Sequence, residues 1–361
     1  MPKVVAITGG SAGVGRASAV LFAKAGYHVA LIARDEERLQ RAVEELRALG
    51  ATALPLCADV ADFAALDAAA SRIEQELGPI AVWVNNAMAT IFAPIKDITP
   101  EEFRRATEVT YLGQVHGTMV ALSRMRSRDR GTIINVGSAL AYRAIPLQSA
   151  YCGAKFAVRG FTEALRSELM HDGVNVHLAM VHLPALNTPQ FDWALNKMKT
   201  RAQPMPPIFQ PEVAARAMLF AAEHRRREIW IGMPVVKTIV ANSLWPGLLD
   251  RLLARVGYSG QLTGEAKPAN APANLFRAVP GVYGAHGRFD ALARGETWEF
   301  TVARHRSTVL AWVAMMAALA FVSLRSRRGR RGFRQIGRNK RWGLRDVTGR
   351  GIGPEHHVPP G

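Results

Sequence analysis

Val4, Val5, Ala6 and Ile7 form an apolar run that ends in Thr8-Gly9-Gly10-Ser11-Ala12-Gly13-Val14-Gly15, and Arg16 to Ala25 then place apolar side chains at helical spacing up to Gly26. A strand, a glycine loop and a helix in that order leave few folds open. N–H groups at the start of a helix point at an anion, and glycines let a pyrophosphate approach the backbone. A loop built for nucleoside triphosphates would end in Gly-Lys-Ser/Thr, whereas this chain has Gly15-Arg16-Ala17. The alternation continues along the chain. Apolar runs predict strands at His28 to Ala33, Ala53 to Cys57, Ile80 to Val84, Thr132 to Val136, Val174 to Val181 and Ile229 to Ile231. Between them lie helices from Asp35 to Leu49, up to Leu77, from Pro100 to about Met125, around Tyr151 and Lys155 as far as Gly173, and from Pro211 to Glu223. Strands and helices at this spacing, without internal repeats, predict an α/β fold: a doubly wound parallel sheet with helices on both faces. Ligands then lie beyond the carboxyl ends of the strands, where Gly9 to Gly15, Asn85-Asn86-Ala87 and Ser138 converge.

The stretch SALAYRAIPLQSAYCGAK, from Ser138 to Lys155, supplies the chemistry. Tyr151 and Lys155 are four residues apart, one turn along one helix face, so an ammonium can stand beside a phenol. Bringing a phenol from about 10 to about 7 takes roughly 4 kcal/mol. A unit charge at about 4 Å supplies about that much at an effective dielectric near 20. Ser138 offers a hydroxyl to the same reacting oxygen. The second strand ends in Arg34 in place of an acidic residue, and a guanidinium fork there suits a 2′-phosphate, so NADP is expected in preference to NAD. Asp59 and Val60, after the third strand, are placed to meet an adenine.

With these pieces in order, residues 1 to 232 resemble the short-chain dehydrogenase/reductase family, with its Rossmann-like single domain. The resemblance rests on Thr8-Gly-x-x-x-Gly-x-Gly15, Asp59, Asn85-Asn86-Ala87, Ser138 and Tyr151-x-x-x-Lys155. It implies that Tyr151 is the general acid/base, that Lys155 lowers its pKa and binds the nicotinamide ribose, and that Ser138 orients a substrate carbonyl. Thr8, Gly9, Ser11, Gly13, Val14, Gly15, Arg34, Asp59, Val60, Asn86, Ala87 and Thr188 are the implied cofactor residues, alongside Tyr151 and Lys155. Three positions depart from the family pattern: Met88 and Ala185 stand where glycines are usual, and Thr110 stands where many members keep a catalytic asparagine. The activity implied is interconversion of an alcohol and a carbonyl by hydride transfer, with no metal. A catalytically weak NADP-binding sensor or scaffold is the alternative that these departures keep open.

The segment Asn187 to Gln210 carries Phe191, Trp193, Met198, Met205, Pro206, Pro207 and Phe209, a lid that suits a lipophilic substrate. Leucines recur at helical spacing between Ile239 and Val256, as on an amphipathic helix. Tyr258 to Gly295, rich in Gly, Pro, Ala and Asn, reads as a linker or as an extended arm that covers a neighbouring subunit of a homo-oligomer. The formal charge of +17 is concentrated at the end of the chain: residues 301 to 361 hold 13 Lys and Arg against Asp346 and Glu355. That tail has no recognition fold for nucleic acid. Thr308 to Leu324 is free of charge, with arginines on both sides, which predicts a helix that associates with a membrane while the basic residues meet anionic lipid. The catalytic part is then cytoplasmic, and Cys57 and Cys152, the only cysteines, suit a reducing compartment. The expected organisation is a catalytic domain at 1–232, an extension at 233–306, a membrane-associated helix at 307–324 and a basic tail at 325–361.

Overall fold

The structure, a computed structural model, describes residues 2–297 and 315–316. Its central sheet has seven parallel strands: β1 (Val4–Thr8), β2 (His28–Ala33), β3 (Ala53–Cys57), β4 (Ile80–Asn85), β6 (Gly131–Ser138), β7 (Val176–Leu183) and β11 (Glu228–Trp230), in the order β11-β7-β6-β4-β1-β2-β3. The order reverses between β1 and β4, which opens a crevice at their carboxyl ends. Strands covered on both faces are apolar throughout instead of alternating, and all five residues of β1 are buried. Val5, Ile7, Val29 and Leu31 belong to the core on one face, and Val4, Ala6, Ala30 and Ile32 to the core on the other.

Helices α1 (Gly13–Lys24), α2 (Glu36–Ala48) and α8 (Pro211–Glu223) cover the first face. Helices α3 (Phe63–Glu76), α4 (Pro100–Thr107), α5 (Gly113–Arg126) and α6 (Ser149–His171) cover the second. Side chains set several helix starts. Asp35 accepts from the N–H of Arg38 at 2.9 Å, and Thr99 with Glu102 closes a reciprocal cap ahead of Pro100. The single helix predicted from Pro100 to about Met125 is two helices joined by a π-helical turn, Glu108–Leu112, that contains Thr110. Strand β6 runs two residues past the predicted Val136, because Gly137 and Ser138 pair with His182 and Leu183 of β7. Ser138 is therefore held by the sheet itself.

After β7 the chain forms the short helix α7 (Gln190–Trp193) and short strands fastened at three places: β5 (Ile91–Phe92) to β8 (Leu195–Asn196), β9 (Thr200–Ala202) to β12 (Leu262–Ala266), and β10 (Ile208–Phe209) to β13 (Ala293–Arg294). The amphipathic stretch predicted from Ile239 to Val256 is split by Pro246 into α9 (Met233–Leu244) and α10 (Pro246–Val256). The described residues 2–297 belong to one compact unit. The expected arm packs on its own chain at residues 274 and 275, with Leu275 in the second core and the N–H of Asn274 donated to the carbonyl of Trp193 at 2.8 Å. Apart from Met315 and Met316, the predicted membrane helix and the basic tail lie outside the described residues. Among the described residues, no helix is long and apolar enough to cross a membrane.

Candidate active site

A cavity of about 610 Å³ occupies the crevice. The glycine loop supplies Gly9, Ser11, Gly13 and Val14 to its wall, and the ends of β2 and β3 supply Arg34, Asp59 and Val60. Asn86, Ala87, Ser138, Tyr151, Lys155 and Thr188 complete the predicted set that lines it. Three predicted residues do not line it, and each has other contacts. Thr8 Oγ1 accepts from the N–H groups of Asn86 and Ala87 at 3.0 and 3.1 Å, tying the end of β4 to β1. Gly15 packs so closely that a Cβ would stand 2.2 Å from the carbonyl oxygen of Gly9. Thr110 is fully buried; its hydroxyl donates to the carbonyl of Ala89 at 2.8 Å and accepts from its N–H at 2.9 Å. Both of its roles are spent on that loop. The departures at Met88 and Ala185 carry no strain, since Asp129 and Leu147 are the non-glycine residues with positive φ among those described.

Helix α6 presents Tyr151 and Lys155 to the cavity one turn apart, and Ser138, at the end of β6, lines the same cavity. The Lys155 ammonium lies 5.5 Å from the centre of the Tyr151 ring and donates to the carbonyl of Val136 at 2.6 Å. Burial governs both groups. It pushes the phenol well above its ordinary value, an effect that Ser138 only partly offsets. It pulls the ammonium, 1 % exposed, down to about 7. Within the chain alone, burial therefore outweighs the cation that was expected to draw the phenol down, and Tyr151 holds its proton at neutral pH. Cys152, next in the helix, is pushed up to about 11 by burial, which keeps its thiol protonated.

The sequence reading passed over several residues that hold this group in place. Gln114 donates to the same Val136 carbonyl at 3.1 Å, so that oxygen fixes both Lys155 and α5. Beneath it, Asn85 donates to Thr118 at 3.0 Å and to Asn135 at 2.8 Å, Trp83 donates to Asn85 at 2.7 Å, and Asn135 donates to Thr162 of α6 at 2.9 Å. This buried chain of amides and hydroxyls locks α5 and α6 to β4 and β6. His182 of β7 sets an imidazole nitrogen 3.3 Å from the carbonyl oxygen of Ser138. The only local sign of these roles was polar residues inside apolar runs.

At the adenosine end, Arg34 Nη2 donates to the carbonyl of Asn274 at 2.5 Å, and Nη1 lies 3.4 Å from the carbonyl oxygens of both Leu275 and Phe276. The same Nη1 lies 3.9 Å from the Asp59 carboxylate, which is paired in turn with Arg105. On the substrate side Phe92, Phe191, Met205, Leu249 and Leu253 line the cavity, with Arg143, Gln148 and Lys237 among them, while Trp193 stands at the other end against Arg38. Together these groups can hold an elongated, anionic ligand along the sheet edge and bring a second, apolar molecule to Ser138 and Tyr151.

A family model described as short chain dehydrogenase matches residues 3–196. An uncharacterized oxidoreductase of Bacillus subtilis, YxnA, is 35% identical over 263 residues, which is 72% of this chain and 73% of the relative. A 3-dehydrosphinganine reductase of Danio rerio is 32% identical over 192 residues, 52% of this chain and 57% of that protein. Among solved structures, a short-chain dehydrogenase/reductase from Burkholderia phymatum in complex with NAD aligns with a TM-score of 0.63 at 24% identity, over 69% of this chain and 95% of the other.

Proposed function

The chain belongs to the short-chain dehydrogenase/reductase family of oxidoreductases, and from that premise we propose that it reduces an apolar ketone or aldehyde, or oxidises the matching alcohol, with NADP as cofactor. The observation that carries this reading is that Ser138, Tyr151 and Lys155 line one cavity with the glycine loop, where the crevice opens into a largely apolar chamber. The residues fit a dinucleotide. Gly9 and Gly13 line the crevice without a side chain, α1 begins at Gly13 on its wall, and Lys155 is a buried donor beside Tyr151.

When bound, the cofactor supplies hydride chemistry at the nicotinamide. Ser138 and the Tyr151 hydroxyl hold the substrate oxygen, and Tyr151 gives that oxygen its proton during reduction. Burial keeps the phenol protonated at neutral pH, the form that reduction needs. Lys155, with a pKa drawn down to about 7, gains as a cation when a phenolate forms beside it, because the opposite charge repays part of its desolvation. Asn86, Ala87 and Thr188 would hold the nicotinamide end, and Ser11, Val14, Asp59 and Val60 the remainder. Arg34 would meet the 2′-phosphate.

The lipophilic substrate is inferred from the chamber wall and from the lid and α10, whose Leu249, Leu252 and Leu253 face the cavity. Leu244, Trp245 and Leu248 remain about 60% exposed on the same helix pair. That apolar surface, together with the charge-free stretch Thr308 to Leu324 and its arginines, supports attachment to anionic lipid with the catalytic part in the cytoplasm. The reaction is tested by following NADPH absorbance with a panel of ketones of rising chain length and with 3-dehydrosphinganine, the compound in the zebrafish relative's name. Turnover should rise with apolar length. No oxidation of NADPH or NADH by any of them would favour the sensor or scaffold reading, in which the cleft binds a dinucleotide without turning it over.

A further inference from the structure

The segment from Asn274 to Gly284 lies along the adenosine end of the crevice and meets its arginines through backbone carbonyls, with the Tyr283 ring packed on Trp193 and Arg38 beside them. Arg34 donates to Asn274, Leu275 and Phe276; Arg105 donates to Leu275 at 3.2 Å; Arg38 donates to Val279; Arg16 donates to Tyr283 at 3.2 Å. The N–H of Gly13, first residue of α1, donates to the carbonyl of Gly284 at 3.0 Å. Four guanidinium groups and a helix-start amide thus face a row of carbonyl oxygens. These are the kinds of donor that recognise phosphate. The segment carries no acidic side chain, so it offers these donors peptide dipoles only; their carboxylate partners come from elsewhere, Glu45 on Arg16, Asp35 on Arg38, and Asp59 on Arg105 and, at 3.9 Å, on Arg34. It is pinned near both ends, by Asn274 N–H on the Trp193 carbonyl at 2.8 Å and by Gly287 N–H on the Asn187 carbonyl at 3.3 Å.

We propose that residues 274–284 are a specificity-determining strap that competes with the dinucleotide for these donors, and that a 2′-phosphate is the group able to take Arg34 from it. The proposal rests on the reading of Arg34 as a phosphate ligand. Both Arg34 Nη atoms that a phosphate would grip are occupied by carbonyls at 274–276, and a carbonyl oxygen and a phosphate oxygen cannot share one N–H direction without repulsion. A phosphate dianion forms charge-assisted hydrogen bonds with a guanidinium and displaces neutral carbonyls. A 2′-hydroxyl has no such advantage. NADPH therefore lifts the strap away from Arg34, whereas NADH leaves residues 274–276 seated, and discrimination comes from the displacement as well as from the direct contact.

Exposed Arg277, one residue beyond these contacts, reports on the strap. Full-length protein is treated with limiting trypsin, alone, with saturating NADPH and with saturating NADH, and the fragment ending at Arg277 is followed by mass. NADPH should speed that cleavage at least fivefold, while NADH leaves it within twofold of the empty protein. Leu275→Ala, which loosens the strap at a side chain outside the cavity wall, should lower KM for NADPH several-fold with kcat unchanged. Slower cleavage with NADPH, equal acceleration by both cofactors, or a raised KM for NADPH in Leu275→Ala would overturn the proposal; should that variant not fold, cleavage of the wild-type chain decides. The wild-type kcat/KM ratio for NADPH over NADH tests the Arg34 reading separately. A preference for NADH defeats that reading, whereas a preference for NADPH without faster cleavage defeats the strap alone.

Discussion

Replacing Lys155 by Met should stabilise the empty protein at low pH, and the gain should fade as pH rises. The ammonium is drawn from 10.5 to about 7 by burial. That drop of about 3.5 units, at about 1.4 kcal/mol per unit, means that a protonated Lys155 costs the folded chain at most about 5 kcal/mol. The sign follows from proton counting: between pH 7 and 10.5 the unfolded chain binds the lysine proton and the folded chain sheds it, so stability contributed by this site rises with pH across that window. Below about pH 7 the cost is complete, and at pH 9 about 2 kcal/mol of it is left. Met keeps the length and apolar volume without the charge. It also loses the hydrogen bond to Val136, worth about 1 to 3 kcal/mol, although Gln114 still donates to that carbonyl. The balance is a variant more stable than wild type at pH 6 by a few kcal/mol, with a lead that shrinks by about 3 kcal/mol by pH 9. Urea unfolding of both proteins, followed by circular dichroism at pH 6, 7, 8 and 9 without cofactor, measures it. A stability difference that stays constant within about 1 kcal/mol across that range would refute the claim that burial sets the charge of Lys155.

Arg34→Leu should raise KM for NADPH about tenfold or more and for NADH less than about threefold, as loss of one charge-assisted contact to phosphate requires; equal changes in steady-state assays would assign Arg34 to the fold. Asn135→Ala leaves Asn85 and Thr162 short of a buried partner and should cost about 2 to 4 kcal/mol of stability in denaturant titration, whereas a loss below about 0.5 kcal/mol would mean the network is not what locks α6 to the sheet. The full-length protein should pellet with anionic lipid vesicles, and less with neutral vesicles or at high salt, because each basic residue near anionic lipid contributes about 1 kcal/mol; a protein that stays in the supernatant with anionic vesicles ends the membrane proposal.

Much of the fold was legible because parallel strands buried on both faces leave apolar runs in the sequence, as Val4 to Thr8 and His28 to Ala33 do. The ligand-facing residues were legible for a related reason. They sit at strand ends, where the apolar runs stop at Gly9, Asn86 and Ser138. Thr110 shows the limit of such reading: it falls in a π-helical turn where one continuous helix was expected, and the Ala89 backbone has claimed its hydroxyl. Lys155 shows another. Helical spacing puts it beside Tyr151, yet spacing carries no information on desolvation, which decides its charge. The strap left no trace at all, because it works through backbone carbonyls, which every residue possesses. Asn135, Thr118 and Thr162 were missed because their partners come from four separate elements.

In the proposed reaction Tyr151 moves the proton while hydride passes in the adjoining cleft. Full-length wild type and Tyr151→Phe should be given NADPH carrying deuterium at the transferable C4 position, together with an apolar ketone that the wild type turns over, and the alcohol formed analysed for deuterium on the carbinol carbon. Wild type should place deuterium there, and Tyr151→Phe should bind NADPH with unchanged affinity yet form labelled alcohol at less than about a hundredth of the wild-type rate, in keeping with the contribution of a positioned acid. Labelled alcohol from Tyr151→Phe at more than about a tenth of the wild-type rate would contradict the assignment.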